Sequence, residues 1–349
     1  MLLKRRVITS ALAVVAILVA GISLQSFAAS STGVSNLTGA GSTFDYPFFN
    51  RAFYLYAMQN HVNVNYSAIG SGGGIQQFSE GTVNFGASDV PMNAGELNIA
   101  QRIGGAVIQI PIALGGEAIS YNLPGIHTRL RFTPHVIAQI YLGQIKSWND
   151  PRIEAINPGV KLPKLPIVVV HRSDGSGSTY IFTDFLSAIS PQWAHRVGCG
   201  KAVNWPVGIG AKGNQAVAQS VKDTVGAIGY VELAYVLQSK MHYGYVQNRE
   251  GQYVLPTPAT IANEAAQKPS VTSKDFSIVW LPGKNAYPIS GYSWALLYRN
   301  QRTAALKKML VNLLTWMEGP GQDQAAAIDY VPLPANIRRQ ALYLLDTVK

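Results

Sequence analysis

Hydrophobic and polar positions along this chain repeat one order: a short apolar run, a bend of small residues, and a longer run with helical spacing. Residues 62–66 alternate apolar side chains with asparagine, the period of a strand with one buried face. Residues 167–170 are uniformly apolar, as in a strand buried on both faces. Repeated alternation of strand and helix predicts an α/β protein.

Four strand–bend–helix units can be delimited, and in each the bend is rich in glycine, serine or threonine. Pro47 suits the first turn of the first helix. Asn93, with Glu96 three residues later, has the pattern of a capping box at the start of the third helix. Given as strand, bend and helix, the predicted units are Leu37, 39–43 and 47–59; 62–66, 70–74 and 75–80; 83–85, 86–89 and a helix from Asn93; and 167–170, 172–178 and 179–189.

Two further helices are predicted near the end of the chain. Residues 303–317 carry apolar side chains at helical spacing, and Gly319 with Pro320 is expected to end that helix. A last helix is expected from Ala335.

The first 28 residues have the pattern of a secretory signal peptide. Lys4, Arg5 and Arg6 precede an apolar run over residues 7–24, and small residues at Ser26 and Ala28 suit a cleavage site. The alternative is an uncleaved membrane anchor, because the run approaches spanning length. We expect cleavage and a periplasmic location.

Composition narrows the classes further. Of the 349 residues 48% are hydrophobic and 13% charged, which favours a folded chain with a sizeable core. The single cysteine, Cys199, excludes an internal disulfide and a multi-cysteine metal site. The six histidines show no metal-ligand spacing, so neither a metal nor another cofactor is expected.

The net charge is +10, and it falls to +7 when Lys4, Arg5 and Arg6 are removed, since 25 basic and 18 acidic residues are left. A basic balance suits anionic partners. The basic residues are scattered, however, and no basic stripe interleaved with aromatic residues is present, so nucleic acid is not an expected partner.

The bends are the candidate chemistry. Helix N-termini present unpaired N–H groups and a partial positive charge, glycine allows close backbone approach, and hydroxyl groups add donors. Several such bends together would form a cradle for an anion. Any one bend could equally be a helix cap with no ligand.

Two charged groups sharpen this hypothesis. Arg172 offers a planar fork of donors to an oxyanion, and Asp174 could hold that fork in place. A carboxylate at Asp89 suits an anion site if the anion carries a proton, because an ionised carboxylate only accepts hydrogen bonds. Monohydrogen phosphate offers an O–H group, whereas sulfate offers none, so Asp89 would reject sulfate. The alternatives are a surface ion pair at Arg172 and a turn residue at Asp89.

The motif set resembles the phosphate-binding subunit of bacterial phosphate ABC transporters, the PstS type. Order and spacing both match, over nearly the whole chain after the signal. The motifs that carry the resemblance are residues 39–44, 69–74, 85–91, 172–178, 140–143 with Trp148, 205–208, 226–232 and 287–290.

The resemblance implies an α/β, two-lobed periplasmic-binding-protein architecture of type II, with a hinge and a ligand cleft between the lobes. By this analogy residues 29–116 and 288–349 form a discontinuous lobe I, and residues 117–287 form lobe II. The chain would cross near Gly115 and Gly116 and again near Tyr287 and Pro288.

The resemblance also implies a phosphate site. Asp89 would accept the ligand proton, Arg172 would pair with phosphate oxygens, and Asp174 would orient Arg172. The family usually has threonine where this chain has Ser178, and some members have serine at Gly72. The residues expected to contribute hydroxyl or backbone N–H donors, or to lie beside them, are Ser42, Thr43, Phe44, Ser71, Ser176, Gly177 and Ser178.

The expected function is therefore binding of inorganic phosphate outside the cytoplasmic membrane and delivery to the permease subunits of an ABC transporter, by a monomer without catalysis. A secreted phosphatase, a binder of another tetrahedral oxyanion, and a surface or adhesion protein are the alternatives. A serine hydrolase is disfavoured because neither Ser71 nor Ser176 lies in G-x-S-x-G.

One motif points elsewhere. Residues 208–213 match G-x-G-x-x-G, with Glu232 about twenty residues later, as in dinucleotide-binding enzymes. Trp205 and Pro206 interrupt the strand that this motif requires. We interpret the segment as a close-packed loop.

Overall fold

The structure is a computed structural model, and it describes residues 35–328 and 330–349. The predicted signal peptide, residues 1–28, lies outside the described residues. Within the described part of the chain, no helix combines the length and the apolar character needed to cross a membrane.

Strands and helices alternate along the chain, as the hydrophobic pattern predicts. The strands are β1 (Ser35–Gly41), β2 (Val62–Ala68), β3 (Phe85–Ser88), β4 (Val107–Tyr121), β5 (Arg131–Phe132), β6 (Val168–Arg172), β7 (Ile209–Ala211), β8 (Ala227–Glu232), β9 (His242–Tyr243), β10 (Tyr245–Gln247), β11 (Tyr253–Val254) and β12 (Ser290–Tyr298). The helices are α1 (Tyr46–Asn60), α2 (Ser71–Ser79), α3 (Ala94–Gly104), α4 (Pro134–Tyr141), α5 (Pro151–Glu154), α6 (Gly177–Ile189), α7 (Pro191–Arg196), α8 (Gly213–Asp223), α9 (Leu233–Gln238), α10 (Pro258–Ala266), α11 (Ala304–Trp316), α12 (Gln322–Ala325) and α13 (Ala335–Asp346).

One long strand organises the main sheet, whose order is β2-β1-β3-β12-β4-β8-β6-β7, with β9 also pairing with β4. Strand β4 has 15 residues. Its residues 107–116 pair antiparallel with β12, and its residues 117–121 pair antiparallel with β8. We call β2, β1, β3, β12 and residues 107–116 the first half-sheet, and residues 117–121 with β8, β6, β7 and β9 the second half-sheet. A single strand thus belongs to both.

Parallel pairing brings the ends of several strands together. Strand β1 runs parallel to β2 and β3, and β6 runs parallel to β7 and β8. Parallel strands need helical crossovers, and the following helices therefore begin at the carboxyl edge of each half-sheet. In open α/β sheets this edge is where ligands bind.

Two predicted boundaries differ from the structure in the same direction. Helix α2 begins at Ser71 and not at residue 75, and α6 begins at Gly177 and not at residue 179. The glycine and serine residues that the sequence assigns to bends therefore form the first turns of these helices. Their N–H groups are the unpaired donors of a helix N-terminus.

The prediction that Gly319 and Pro320 end a helix is confirmed. Regular α-helix stops at Trp316, and the π-helical turn over Met317–Gly321 contains a kink at Gly319, whose backbone is non-helical, before α12 begins. Proline lacks an N–H group and its ring clashes with the preceding turn, so one regular helix cannot continue through this point.

The interpretation of residues 208–213 as a close-packed loop is wrong. Residues 209–211 are β7, and α8 begins at Gly213, whose positive φ of 77° suits glycine. Strand β7 pairs with β6 after the Trp205–Pro206 interruption, so the strand lies inside the motif and not before it.

Candidate anion-binding site

Asp89 lies at the end of β3 and is almost fully buried, with 3% of its surface exposed. The Ser42 hydroxyl donates to its Oδ1 at 2.5 Å, and the Ser71 hydroxyl donates to its Oδ2 at 3.3 Å. Its backbone N–H donates to Ser71 Oγ at 3.1 Å. Ser42 follows β1 and Ser71 begins α2, so three segments of the first half-sheet meet at this carboxylate.

Helix α6 comes to the same point from the second half-sheet. The Gly177 N–H donates to Ser71 Oγ at 3.1 Å, and the Gly72 N–H donates to the Gly175 carbonyl at 2.8 Å. A Cβ atom at Gly177 would lie 2.4 Å from Cβ and Oδ2 of Asp89, so only glycine fits there. The N-termini of α2 and α6 therefore meet beside Asp89, which is the geometry of an anion site at helix N-termini.

Arg172 is held by Asp174 at the end of β6. Its Nε donates to Asp174 Oδ1 at 2.8 Å and its Nη2 to Oδ2 at 2.5 Å, a bidentate pair. The Arg172 side chain is 1% exposed. A Cβ atom at Gly70, the residue before Ser71, would lie 2.3 Å from Asp174 Oδ2 and 3.3 Å from Arg172 Nη2. The guanidinium group therefore lies beside the N-terminus of α2.

The protonation of these acids follows from their surroundings. Burial raises the pKa of Asp89 to about 6, while hydrogen bonds from Ser42 and Ser293 and the charge of Arg172 act in the opposite direction. Burial also acts to raise the pKa of Asp174, but its hydrogen bonds and ion pair with Arg172 outweigh burial and lower that pKa. Asp174 is thus held ionised by Arg172, whereas the raised pKa of Asp89 brings its carboxyl closer to accepting a proton.

A contributor that the sequence reasoning missed is Asn214, in the first turn of α8. Its backbone N–H and its Nδ2 donate to Thr43 Oγ1 at 3.1 and 3.2 Å, and Nδ2 also donates to Ser178 Oγ at 3.0 Å. The preceding Gly213 N–H donates to Asp174 Oδ1 at 3.1 Å. The only signal in the sequence was the glycine motif at 208–213, which was interpreted as a packed loop.

The remaining predicted residues lie around this centre. The Phe44 N–H donates to Ser42 Oγ at 2.9 Å, and the Phe44 ring is fully buried. Ser176 caps α6 by accepting the Thr179 N–H at 3.0 Å. All ten predicted site residues therefore lie on segments that meet at the carboxyl edges of the two half-sheets, and all but Asp174 are buried.

The structure adds three buried carboxyl groups to this neighbourhood, those of Asp45, Glu117 and Glu232. Each has a raised pKa, for which burial is the largest cause, and each is influenced by the charge of a neighbouring acid. Among the described residues, no group of three or more histidine, cysteine, aspartate or glutamate side chains could hold a metal ion.

Comparisons with known proteins identify the family of this chain. A family model described as a PBP superfamily domain matches residues 26–318. The phosphate-binding protein PstS of Xylella fastidiosa strain Temecula1 is 41% identical over 315 residues, which cover 89% of this chain and 85% of that protein. The phosphate-binding protein PstS of Methanocaldococcus jannaschii is 36% identical over 310 residues, which cover 83% of this chain and 80% of the relative.

Solved structures share the fold at lower identity. The phosphate-binding protein from Stenotrophomonas maltophilia superposes with a TM-score of 0.67 at 21% identity, covering 88% of this chain and 93% of that one. The periplasmic phosphate-binding protein PfluDING, solved with bound phosphate, gives a TM-score of 0.70 at 20% identity, covering 87% and 92%. These structures establish the two-lobed α/β fold of periplasmic binding proteins. Together with the extent of the sequence match, they show that the chain belongs to the PstS family of phosphate-binding proteins within the PBP superfamily.

Proposed function

We propose that this protein binds inorganic phosphate outside the cytoplasmic membrane and delivers it to an ABC transporter for import. The observation that carries the proposal is the position of Asp89: a buried carboxylate, held by two serine hydroxyl groups, beside the N-termini of two helices and the charge of Arg172. A fully ionised anion would place like charge beside this carboxylate without offering it a hydrogen bond, whereas a phosphate that carries a proton offers it an O–H group.

The site residues divide into three tasks. Arg172, fixed by Asp174, supplies the full positive charge. Asp89 accepts a hydrogen bond from the O–H group of the ligand. The oxygens of phosphate are met by hydroxyl and backbone N–H donors, and this group comprises Ser42, Thr43, Phe44, Ser71, Ser176, Gly177 and Ser178, positioned by Asn214.

The proposed lobes are residues 29–116 with 288–349, and residues 117–287, with the site between them. Contacts that join the two support closure around the ligand. They include the Tyr235 hydroxyl donating to the Thr43 carbonyl at 2.7 Å, and an ion pair between Lys201 and Glu96. A ligand that touches both lobes stabilises the closed form through contacts that the open form lacks.

The proposal extends to the cellular setting of the protein. A cleaved signal peptide over residues 1–28 would deliver the chain to the periplasm, and the permease subunits of the transporter would receive the closed, loaded monomer. We propose no catalysis. The histidine next to the site, His171, stacks on Trp205 with ring centroids 4.7 Å apart and so serves packing. Incubation with a phosphomonoester should release no phosphate, and release would contradict this part of the proposal.

The test of binding is calorimetric titration of the mature protein with phosphate, sulfate and arsenate. We expect phosphate and arsenate to bind, because they share shape and protonation, and sulfate to bind about 10⁴-fold more weakly. Sulfate binding as tight as phosphate binding, or no binding of phosphate, would contradict the proposed function.

A further inference from the structure

The candidate site contains more buried carboxyl groups than cationic side chains that could pair with them. Asp174 is paired with Arg172, which leaves Asp45, Asp89 and Glu117 near the ligand position with no cation of their own. Within the described residues, the four ion pairs involve none of these three carboxyl groups. Ionising all three beside a bound phosphate anion would place several like charges in one buried volume.

Asp45 precedes α1 and is fully buried. Its Oδ2 accepts the Ser293 hydroxyl at 2.6 Å. Among the residues that the structure describes, its Oδ1 has no hydrogen-bond partner, and its side chain makes no capping bond to α1. An orphaned buried oxygen is costly on a carboxylate, and a proton placed there removes the charge. The titratable groups that influence Asp45 from the surrounding elements are Asp89, Tyr66, Tyr235 and Tyr330.

Glu117 lies on β4, where that strand passes from β12 to β8, and it is also fully buried. Its backbone is fixed, because its N–H donates to the Ile289 carbonyl and its carbonyl accepts the Tyr287 hydroxyl. Among the described residues, neither of its carboxyl oxygens has a hydrogen-bond partner of normal geometry, although the neighbouring Ser178 hydroxyl acts to lower its pKa. The register of β4 with β8 places Glu232 directly opposite, at the short separation of a cross-strand pair.

The charged and titratable groups around Glu117 come from every neighbouring element. None of them offers it a free cation, since Arg172 is committed to Asp174. The groups that influence Glu117 or are influenced by it are Asp89, Arg172, Glu232, Tyr141, Tyr230 and Tyr287.

We propose that Asp45 and Glu117 are specificity-determining residues that must hold protons when the closed site contains phosphate, so that their ionisation sets an alkaline limit to binding. The inference rests on the proposed function. Glu232 is left out because it has its own donors, the Ala234 N–H at 2.8 Å and the Tyr330 hydroxyl at 3.3 Å. Burial raises the pKa of Glu117 to about 8, which agrees with the proposal.

The experiment compares the mature wild-type protein with the isosteric variant D45N/E117Q, by calorimetric titration with inorganic phosphate at about pH 6 and about pH 9. The ionisation of phosphate itself cancels when the two proteins are compared at one pH. At the acidic value we expect affinities within about threefold of each other. At the alkaline value the variant should bind about tenfold tighter or more, because a tenfold change follows each unit by which the pH exceeds a coupled pKa.

The matched control is E264Q. Glu264 is another fully buried carboxyl whose pKa burial raises to about 8, and one of its oxygens has no partner. It lies on α10, it accepts the Leu281 N–H, and no site residue influences it. E264Q should follow the wild-type pH profile. The same ratio of wild-type to D45N/E117Q affinities at both pH values would overturn the inference.

A second measurement needs no variant. Titrations of the wild type in two alkaline buffers of different ionisation enthalpy give the number of protons taken up with phosphate, and we expect about one or more beyond those of the ligand. Zero uptake would also overturn the inference. Absence of phosphate binding at every pH would contradict the proposed function itself, so the two failures are distinguishable.

Discussion

At the scale of single residues, the proposed site depends on one buried carboxylate and on one glycine that lets a helix reach it. Asp89 accepts from Ser42 and Ser71, and Gly177 allows the α6 backbone to lie against it. Under the proposed function, Asp89 accepts the ligand proton and Arg172 supplies the positive charge. Each role can therefore be tested by its own substitution.

Changing Asp89 to asparagine should relax the rejection of sulfate. The amide can donate to an unprotonated oxygen, so we expect D89N to bind sulfate about 100-fold tighter than the wild type, while phosphate affinity falls. Competition titrations with both anions measure this. The exposed Asp346 provides a control, because D346N should change neither affinity. If D89N excludes sulfate as strongly as the wild type does, Asp89 does not recognise the ligand proton.

Adding one methyl group at Gly177 should disable the site. Its Cβ would overlap Asp89 and Ser71 Oγ, so α6 must retreat, and we expect G177A to lose about 100-fold or more in phosphate affinity. Gly95 is the second residue of α3, and among the described residues only the Asn93 side chain lies near its Cβ position, at 3.3 Å. G95A should therefore bind normally, and equal affinities for the two variants would contradict the role assigned to Gly177.

At the scale of elements, the sequence predicted best what local pattern controls. The capping box of Asn93 and Glu96 is confirmed, as is the alternation of strand and helix. Asn214 and Glu117 were missed because their roles arise from pairing: α8 follows β7, whose place beside β6 no local signal reveals, and Glu117 meets Glu232 only through the register of β4 with β8. Hydrophobic periodicity does not reveal which distant strands pair with each other, or in which register.

The N-terminus of α8 should matter for affinity although no role for it was predicted from the sequence. N214A removes the side-chain donor to Thr43 and Ser178, whereas the backbone N–H donor to Thr43 remains. The Ser178 hydroxyl loses this partner and Thr43 keeps only one, so we expect about a tenfold loss of phosphate affinity. Q219A changes an exposed hydrogen bond on the same helix and should have no effect. An unchanged dissociation constant for N214A, measured by titration, would remove α8 from the site.

At the scale of the whole molecule, we expect the proposed closed form to depend on contacts between the proposed lobes as well as on the ligand. The pair of Lys201 and Glu96 joins these lobes at the rim of the proposed cleft, where the side chains are 16% and 22% exposed. Partly exposed pairs of this kind contribute modestly to stability. We therefore expect the pair to affect the rate of opening more than the affinity.

Removing this ion pair should speed the release of phosphate. We expect K201M to raise the dissociation rate about two- to fivefold, as for a pair worth up to about 1 kcal/mol. K268M breaks the pair of Lys268 with Asp275, which lies within residues 117–287 alone, and should leave the rate unchanged. Stopped-flow tryptophan fluorescence follows the rates, and equal rates for the two variants would contradict the rim contact.

Stability of the unliganded protein should fall as the pH rises. Burial raises the pKa of Glu117 and of Glu264 to about 8, so between their ordinary values and pH 8 the folded state binds more protons than the unfolded chain. The free energy of unfolding then decreases with pH across that window. Calorimetric melting temperatures should drop by several degrees from about pH 5 to about pH 8, less so for E264Q, and a rise would contradict the assignment.

Strand β4 carries one further consequence. A continuous backbone ladder runs from β12 to β8 through residues 116 and 117, so one strand joins the two half-sheets. When the proposed lobes close on phosphate, we expect their rotation to twist this strand and not to slide the lobes past each other. A partner that contacts the outer strands of both half-sheets at once would then distinguish the loaded from the empty protein by the angle between them.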